Sequence, residues 1–250
     1  MLYYDRKGNG ETIILIHGFL STYHVYDKVI SDLIKHYDVI AVDLPGHGQS
    51  PFTNEKTIYD YTDKIIHLLS SLNILQATWI GHSMGGYITM AAVEKYLPYV
   101  KRAVFAYSSP VADTVKGKHQ RLQQIETMRT KGLKTFIQDQ LPKYFAAQSN
   151  ERDLEEAYKH AEHTTIEGAI AATYAMKDRP DQVNMVNQSK IPLLFIEGKN
   201  DLVEMPFLST SSFITKVKTD TSHMGMLDNP SQFVSVLIDW LNQTKTEALQ

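Results

Sequence analysis

The sequence predicts an α/β fold built on a mostly parallel, doubly wound sheet, and three observations carry that prediction. Thr12-Ile13-Ile14-Leu15-Ile16 is a short, continuously apolar and largely β-branched run ending at His17-Gly18. That is the pattern of a strand buried on both faces, and hence of a parallel sheet. Runs of this kind alternate along the chain with segments whose apolar residues recur at helical spacing, as sequential βα units require. The third observation is Gly81-His82-Ser83-Met84-Gly85-Gly86, which lies between the apolar run Ala77-Thr78-Trp79-Ile80 and the helix-spaced segment Tyr87 to Val93. Strand, sharp turn and helix follow one another there, with a serine at the apex.

The elements follow in order. After the first buried strand come a helical stretch over 25–33, a strand over 38–42, and the turn Asp43-Leu44-Pro45-Gly46-His47-Gly48-Gln49-Ser50. A helix over 58–72, the strand and helix around Ser83, and a strand over 100–107 continue the alternation. The rhythm changes after Ser108-Ser109-Pro110, because 111–187 contains no strand pattern. Ile125, Met128, Leu133, Phe136, Ile137 and Leu141 follow helical spacing, and a second helical stretch covers 154–176. This predicts a core of 1–110 and 188–250 interrupted by a helical insertion, 111–187. The alternation resumes with a strand over 192–196, a helix near Phe207, a strand over 214–217 and a last helix over 230–241, for which Asp228-Asn229-Pro230 supplies a cap followed by proline.

Composition narrows the function. Lys and Arg number 25 against 28 Asp and Glu, a formal charge of −3 with no long run of one sign, so no nucleic-acid partner is expected. A small-molecule partner is. The absence of cysteine removes disulfides, thiol nucleophiles and thiolate metal sites together. The first residues, Met1 to Lys7, lack the apolar stretch of a secretory signal, and no later apolar run approaches the roughly 20 residues of a membrane span, so a cytoplasmic location is expected.

The chemistry centres on Ser83. A serine hydroxyl is a weak nucleophile at neutral pH and needs a base within hydrogen-bond reach, which in turn needs an orienting acid. In an open α/β sheet such groups collect just beyond the carboxyl ends of the strands. Asp201, in Gly198-Lys199-Asn200-Asp201, and His223, in Thr221-Ser222-His223-Met224-Gly225, both follow predicted strands, in the order nucleophile, acid, histidine. Glu197, Glu204 and Asp113 compete with Asp201 for the acid's place, while Asp228 reads as a helix cap. The backbone N–H groups of Met84 and Phe19 are candidates for an oxyanion hole. His82 is expected to point away from the nucleophile, and His17 to support the oxyanion loop. His47 reads as structural, and His160 and His163 as members of a solvated helix face lacking a zinc-binding pattern.

Together, His17-Gly18-Phe19, the turn 43–50, Gly81 to Gly86, Gly198 with Asp201, and Ser222-His223 resemble an α/β-hydrolase-fold enzyme of the serine esterase type, along nearly the whole chain. The resemblance implies a sheet of about eight strands, often preceded by a small antiparallel hairpin, with a helical lid inserted after the sixth. It implies hydrolysis of small to medium carboxylic esters through an acyl-enzyme, with no metal or cofactor. Thioester, lactone or carbon–carbon bond hydrolysis, or a slow-turnover ligand receptor, use the same machinery. Dehalogenase and epoxide hydrolase relatives place an aspartate where Ser83 stands.

Overall fold

The apolar runs form the centre of a single twisted sheet in the computed structural model, which describes residues 1–203 and 207–245. Seven strands are present among them: β1 (Tyr4–Gly8), β2 (Glu11–Ile16), β3 (Tyr37–Val42), β4 (Ala77–His82), β5 (Val100–Ala106), β6 (Leu193–Gly198) and β7 (Ile214–Thr219). They are ordered β1-β3-β2-β4-β5-β6-β7, and only β1 runs antiparallel to its neighbour. The expected eight strands and leading hairpin reduce to this seven, because β1 pairs with β3 instead of folding back on β2, and residues before Tyr4 add no strand. The helical insertion accordingly follows the fifth strand, not the sixth.

Register positions the functional loops. Ile16 at the end of β2 is level with Val42 of β3 on one side and Gly81 of β4 on the other, so the His17-Gly18-Phe19 loop emerges beside the Ser83 turn. The middle strands are buried along their length, and Phe105 of β5 meets Phe195 of β6 with ring centroids 4.7 Å apart. Each such side chain contributes about 2–3 kcal/mol relative to exposure.

The helices are α1 (Asp27–Leu33), α2 (Ile58–Ser71), α3 (Met84–Lys95), α4 (Val115–Lys131), α5 (Leu133–Gln140), α6 (Glu151–Ala161), α7 (Ile166–Lys177), α8 (Val183–Gln188), α9 (Gly225–Asp228) and α10 (Pro230–Gln243). α2 starts on a capping box in which Thr57 and Asp60 satisfy each other's backbone N–H groups. α3 is buried from Met84 through Val93 and packs on β4 and β5, which makes it the buried support of the Ser83 turn. Among the described residues no helix is long and apolar enough to cross a membrane.

Two expectations change. The stretch 154–176 is two helices, because α6 ends at Ala161, Thr164 bridges to His47, and Thr165 then caps α7 through Gly168 N. No helix forms over 207–213, where the Phe207 ring packs on Phe195 at 4.6 Å instead; Glu204 and the two residues after it lie outside the described residues. The insertion, α4 to α8, is fastened to the core at several points. Thr165 N donates to Gly46 O at 2.9 Å, Gln182 N to Pro110 O at 2.8 Å, and Lys28 of α1 pairs with Asp153 and Glu156 of α6 at 2.9 and 2.8 Å.

Candidate active site

Ser83 sits at the junction of β4 and α3 with φ 50° and ψ −114°, a conformation that few L-residues adopt. The flanking glycines make this junction possible. A Cβ on Gly81 would lie 2.2 Å from Gly85 O, and one on Gly85 would lie 2.3 Å from Ile16 O, so the two arms of the turn and β2 touch backbone to backbone. The strained residue is anchored by Ser83 N donating to Ala106 O and by Ser108 Oγ donating to Ser83 O, both at 2.9 Å.

Three of the expected side chains meet. Ser83 Oγ lies 2.9 Å from His223 Nε2, and His223 Nδ1 lies 2.8 Å from Asp201 Oδ2. The imidazole and carboxylate are almost wholly buried, at 4% and 5% side-chain exposure. Asp201 Oδ1 also accepts from Val203 N at 2.8 Å. Burial alone would raise the Asp201 pKa, but the His223 ring and the Val203 N–H outweigh it and hold the carboxyl below its ordinary value.

The competing acids are engaged elsewhere. Asp113 is clamped by Arg179 Nη1 at 2.7 Å and Arg121 Nε at 3.1 Å, and Glu197 pairs with Lys216 and Lys218 on β7. Burial pushes the Asp113 carboxyl up, and the two guanidinium groups more than reverse that. Asp228 is not the cap of α10, since Asn229 accepts from Gln232 N at 3.1 Å in that role. Asp228 instead accepts from the backbone N and hydroxyl of Ser222, pinning the residue before His223. Glu204 is outside the described residues.

The histidines divide sharply by environment. His82 lies under His223: its Nε2 donates to His223 O at 2.9 Å and the rings are 5.2 Å apart. That supporting role left no signal in the sequence beyond adjacency to Ser83. His17 accepts from Leu44 N through Nε2 at 2.9 Å and donates through Nδ1 to Gly18 O at 2.7 Å, which fixes a neutral tautomer and ties the loop carrying Phe19 to the turn after β3. Burial, opposed by the Gly18 hydrogen bond, lowers its pKa to about 4. Burial and the nearby His17 lower His47 to about 3. His160 departs from expectation: it is buried and stacks on His24 at 6.2 Å, because α6 packs against the chain just before α1.

Met84 N is the first backbone donor of α3, and neither it nor Phe19 N donates a hydrogen bond to another described residue. The Phe19 ring packs between His47 and Phe136 of α5, at 6.2 Å from each.

Ser83 and His223 open into a cavity of about 430 Å³ whose other wall comes largely from the insertion, including Arg121, Gln124, Tyr144 and Met176. Tyr144 covers His223 closely: the rings are 5.2 Å apart, and Tyr144 O accepts from His223 N at 3.2 Å. Among the described residues no group of three or more His, Asp or Glu side chains converges as a metal site.

A family model for the alpha/beta hydrolase fold matches residues 11–190, so the chain belongs to the alpha/beta hydrolase fold family. Among curated proteins, it is similar to the uncharacterized hydrolase YugF of Bacillus subtilis, 37% identical over 113 residues, which are 43% of this chain and 41% of that protein. The match thus spans about two-fifths of that relative's length. It is 26% identical over 253 residues to the (E)-2-((N-methylformamido)methylene)succinate hydrolase of Acinetobacter baylyi, covering 97% of this chain and 94% of the relative. Among solved structures, a thermophilic esterase from Thermogutta terrifontis superposes with a TM-score of 0.88 at 21% identity, over 98% of this chain and 94% of that one.

Proposed function

We propose that the protein is a serine hydrolase that cleaves carboxylic esters of small to medium size through an acyl-enzyme intermediate. The observation that carries this reading is the continuous hydrogen-bonded path from Ser83 Oγ through His223 to Asp201, opening into a cavity large enough for a small ester. Ser83 attacks the ester carbonyl while His223 Nε2 takes its proton. Asp201 holds the ring with Nδ1 protonated and stabilises the imidazolium that forms. The N–H groups of Phe19 and Met84 receive the oxyanion, each worth about 3 kcal/mol to the transition state. His223 then gives its proton to the leaving alcohol, and a water repeats the sequence to release the acid.

The insertion, 111–187, serves as the lid. It supplies much of the cavity wall and so sets which substrates fit, and it shields the reacting groups from bulk water. Relatives named as an esterase and as a succinate-derivative hydrolase support hydrolysis of a small molecule on this scaffold.

The test is Ser83→Ala. Hydrolysis of short 4-nitrophenyl esters is expected to fall by at least about 10⁴-fold, and labelling by a fluorophosphonate probe to disappear. Undiminished turnover in the purified variant overturns the assignment.

A further inference from the structure

The cavity wall opposite the sheet carries charge that ester hydrolysis does not call for. Arg121 on α4 is only 18% exposed, and Asp113 occupies its Nε alone. Its two terminal nitrogens have no acceptor among the described residues and are open to the cavity that Arg121 lines. Asp113 does not neutralise the region, because it is shared with Arg179, whose Nη1 lies 2.7 Å away and whose guanidinium stacks on Tyr87 at 4.0 Å. Arg179 also donates to Met176 O and Val111 O, so both its terminal nitrogens are engaged within the insertion and it serves to hold Asp113, which holds Arg121. Lys116, five residues earlier on α4, lines the same cavity and has no carboxylate partner among the described residues. Two cations therefore face the space in front of Ser83, against one carboxylate that is already doubly paired.

We propose that Arg121 and Lys116 form an anion subsite, and that the substrate is an ester bearing a carboxylate on its acyl or alcohol part. The planar, pre-oriented guanidinium offers the two-pronged geometry that a carboxylate accepts, and its fixation by Asp113 lowers the ordering cost of binding. Lys116 adds a second positive charge from the more exposed side. The substrate class rests on the esterase reading; the subsite does not.

Two measurements keep these apart. In the first, kcat/KM is compared for methyl hydrogen succinate and methyl butyrate, which differ by one carboxylate. The native enzyme is expected to prefer the charged ester at least tenfold, Arg121→Gln to lose at least tenfold of that preference, and Arg121→Lys to recover part of it. Equal rates on the two esters, or an equal loss on both in Arg121→Gln, overturn the assignment of substrate class. In the second, glutarate binding is followed by calorimetry, which needs no turnover. Binding to the native protein that weakens at least tenfold in Arg121→Gln and with rising salt supports the subsite, even if neither ester is cleaved and the esterase reading falls. Should Arg121→Gln unfold, Arg121→Lys and the salt dependence of the native protein decide. Absence of glutarate binding overturns the subsite.

Discussion

The His82 imidazole, at the end of β4, donates through Nε2 to the main-chain O of His223, in the loop after β7, at 2.9 Å. The residue beside the proposed nucleophile therefore fixes the backbone of the proposed base, while its ring, lowered to a pKa of about 3 by burial and by His223, stays neutral. Replacing the donor should act through position. His82→Leu is expected to lower kcat about tenfold or more with KM changed much less, and His82→Gln, which keeps an N–H at comparable reach, to restore most of it. Steady-state kinetics on one ester separates the two parameters; an unchanged kcat in His82→Leu shows that the bond does not position the base.

Asp201→Asn tests the orienting acid. The amide cannot hold His223 with Nδ1 protonated as a carboxylate does, so kcat should fall about 10⁴-fold while the protein stays folded. Circular dichroism alongside the kinetics guards against misfolding. A loss of less than tenfold would transfer the role to another carboxylate.

Acid should unfold this protein early. His17 and His160 at about 4, and His47 and His82 at about 3, are all buried neutral, their proton affinity depressed chiefly by burial. Each has a folded pKa below its unfolded value, so the folded state binds fewer protons. The stability tied to each is complete above about pH 6.5 and drains as pH falls toward the folded value, at up to about 1.4 kcal/mol per pH unit per histidine. Tm should therefore drop steeply between pH 6.5 and 4, and His47→Gln should flatten the slope. A Tm that is level across that interval contradicts the neutral burial of these rings.

Arg102 is a structural counterpart to these. It is 1% exposed on β5, and it donates to Thr78 Oγ1 at 3.0 Å, to Leu241 O at 2.7 Å and to Glu11 at 2.5 Å, tying α10 to the sheet. Arg102→Ala leaves the Leu241 carbonyl without its donor and opens a buried cavity, while Glu11 keeps Lys101 at 2.7 Å. It should cost about 3–5 kcal/mol of unfolding free energy by urea titration, with little change in kcat. A loss under 1 kcal/mol would mean that water replaces the guanidinium.

The sheet and the Ser83–His223–Asp201 constellation were legible because each rests on local patterns: buried strands as apolar runs, the turn as spaced glycines, the acid and histidine as positions after strands. Long-range pairing was not. Whether Tyr4–Gly8 folds back on β2 or crosses to β3 depends on which edge is free, and no residue in the strand announces it. The break at Thr164 is likewise set by its bridge to His47, more than a hundred residues away. His160 looked solvated because its own helix is charged, and only the packing of α6 on the core buries it. The Arg121 environment was hidden for a related reason: Asp113 is only eight residues from Arg121, but Arg179, which shares that carboxylate, is 66 residues from Asp113 and meets it only through packing within the insertion.

The contact between Tyr144 and His223 has a consequence for how such a protein can diversify. What Tyr144 gives the histidine is a main-chain carbonyl, which every amino acid possesses. Side chains throughout the insertion can thus be exchanged, reshaping what the cavity admits, without dissolving the tether that steadies the imidazole from that side. Selectivity can drift without loosening this support, because the cavity wall is written in the insertion's side chains and the tether in its backbone.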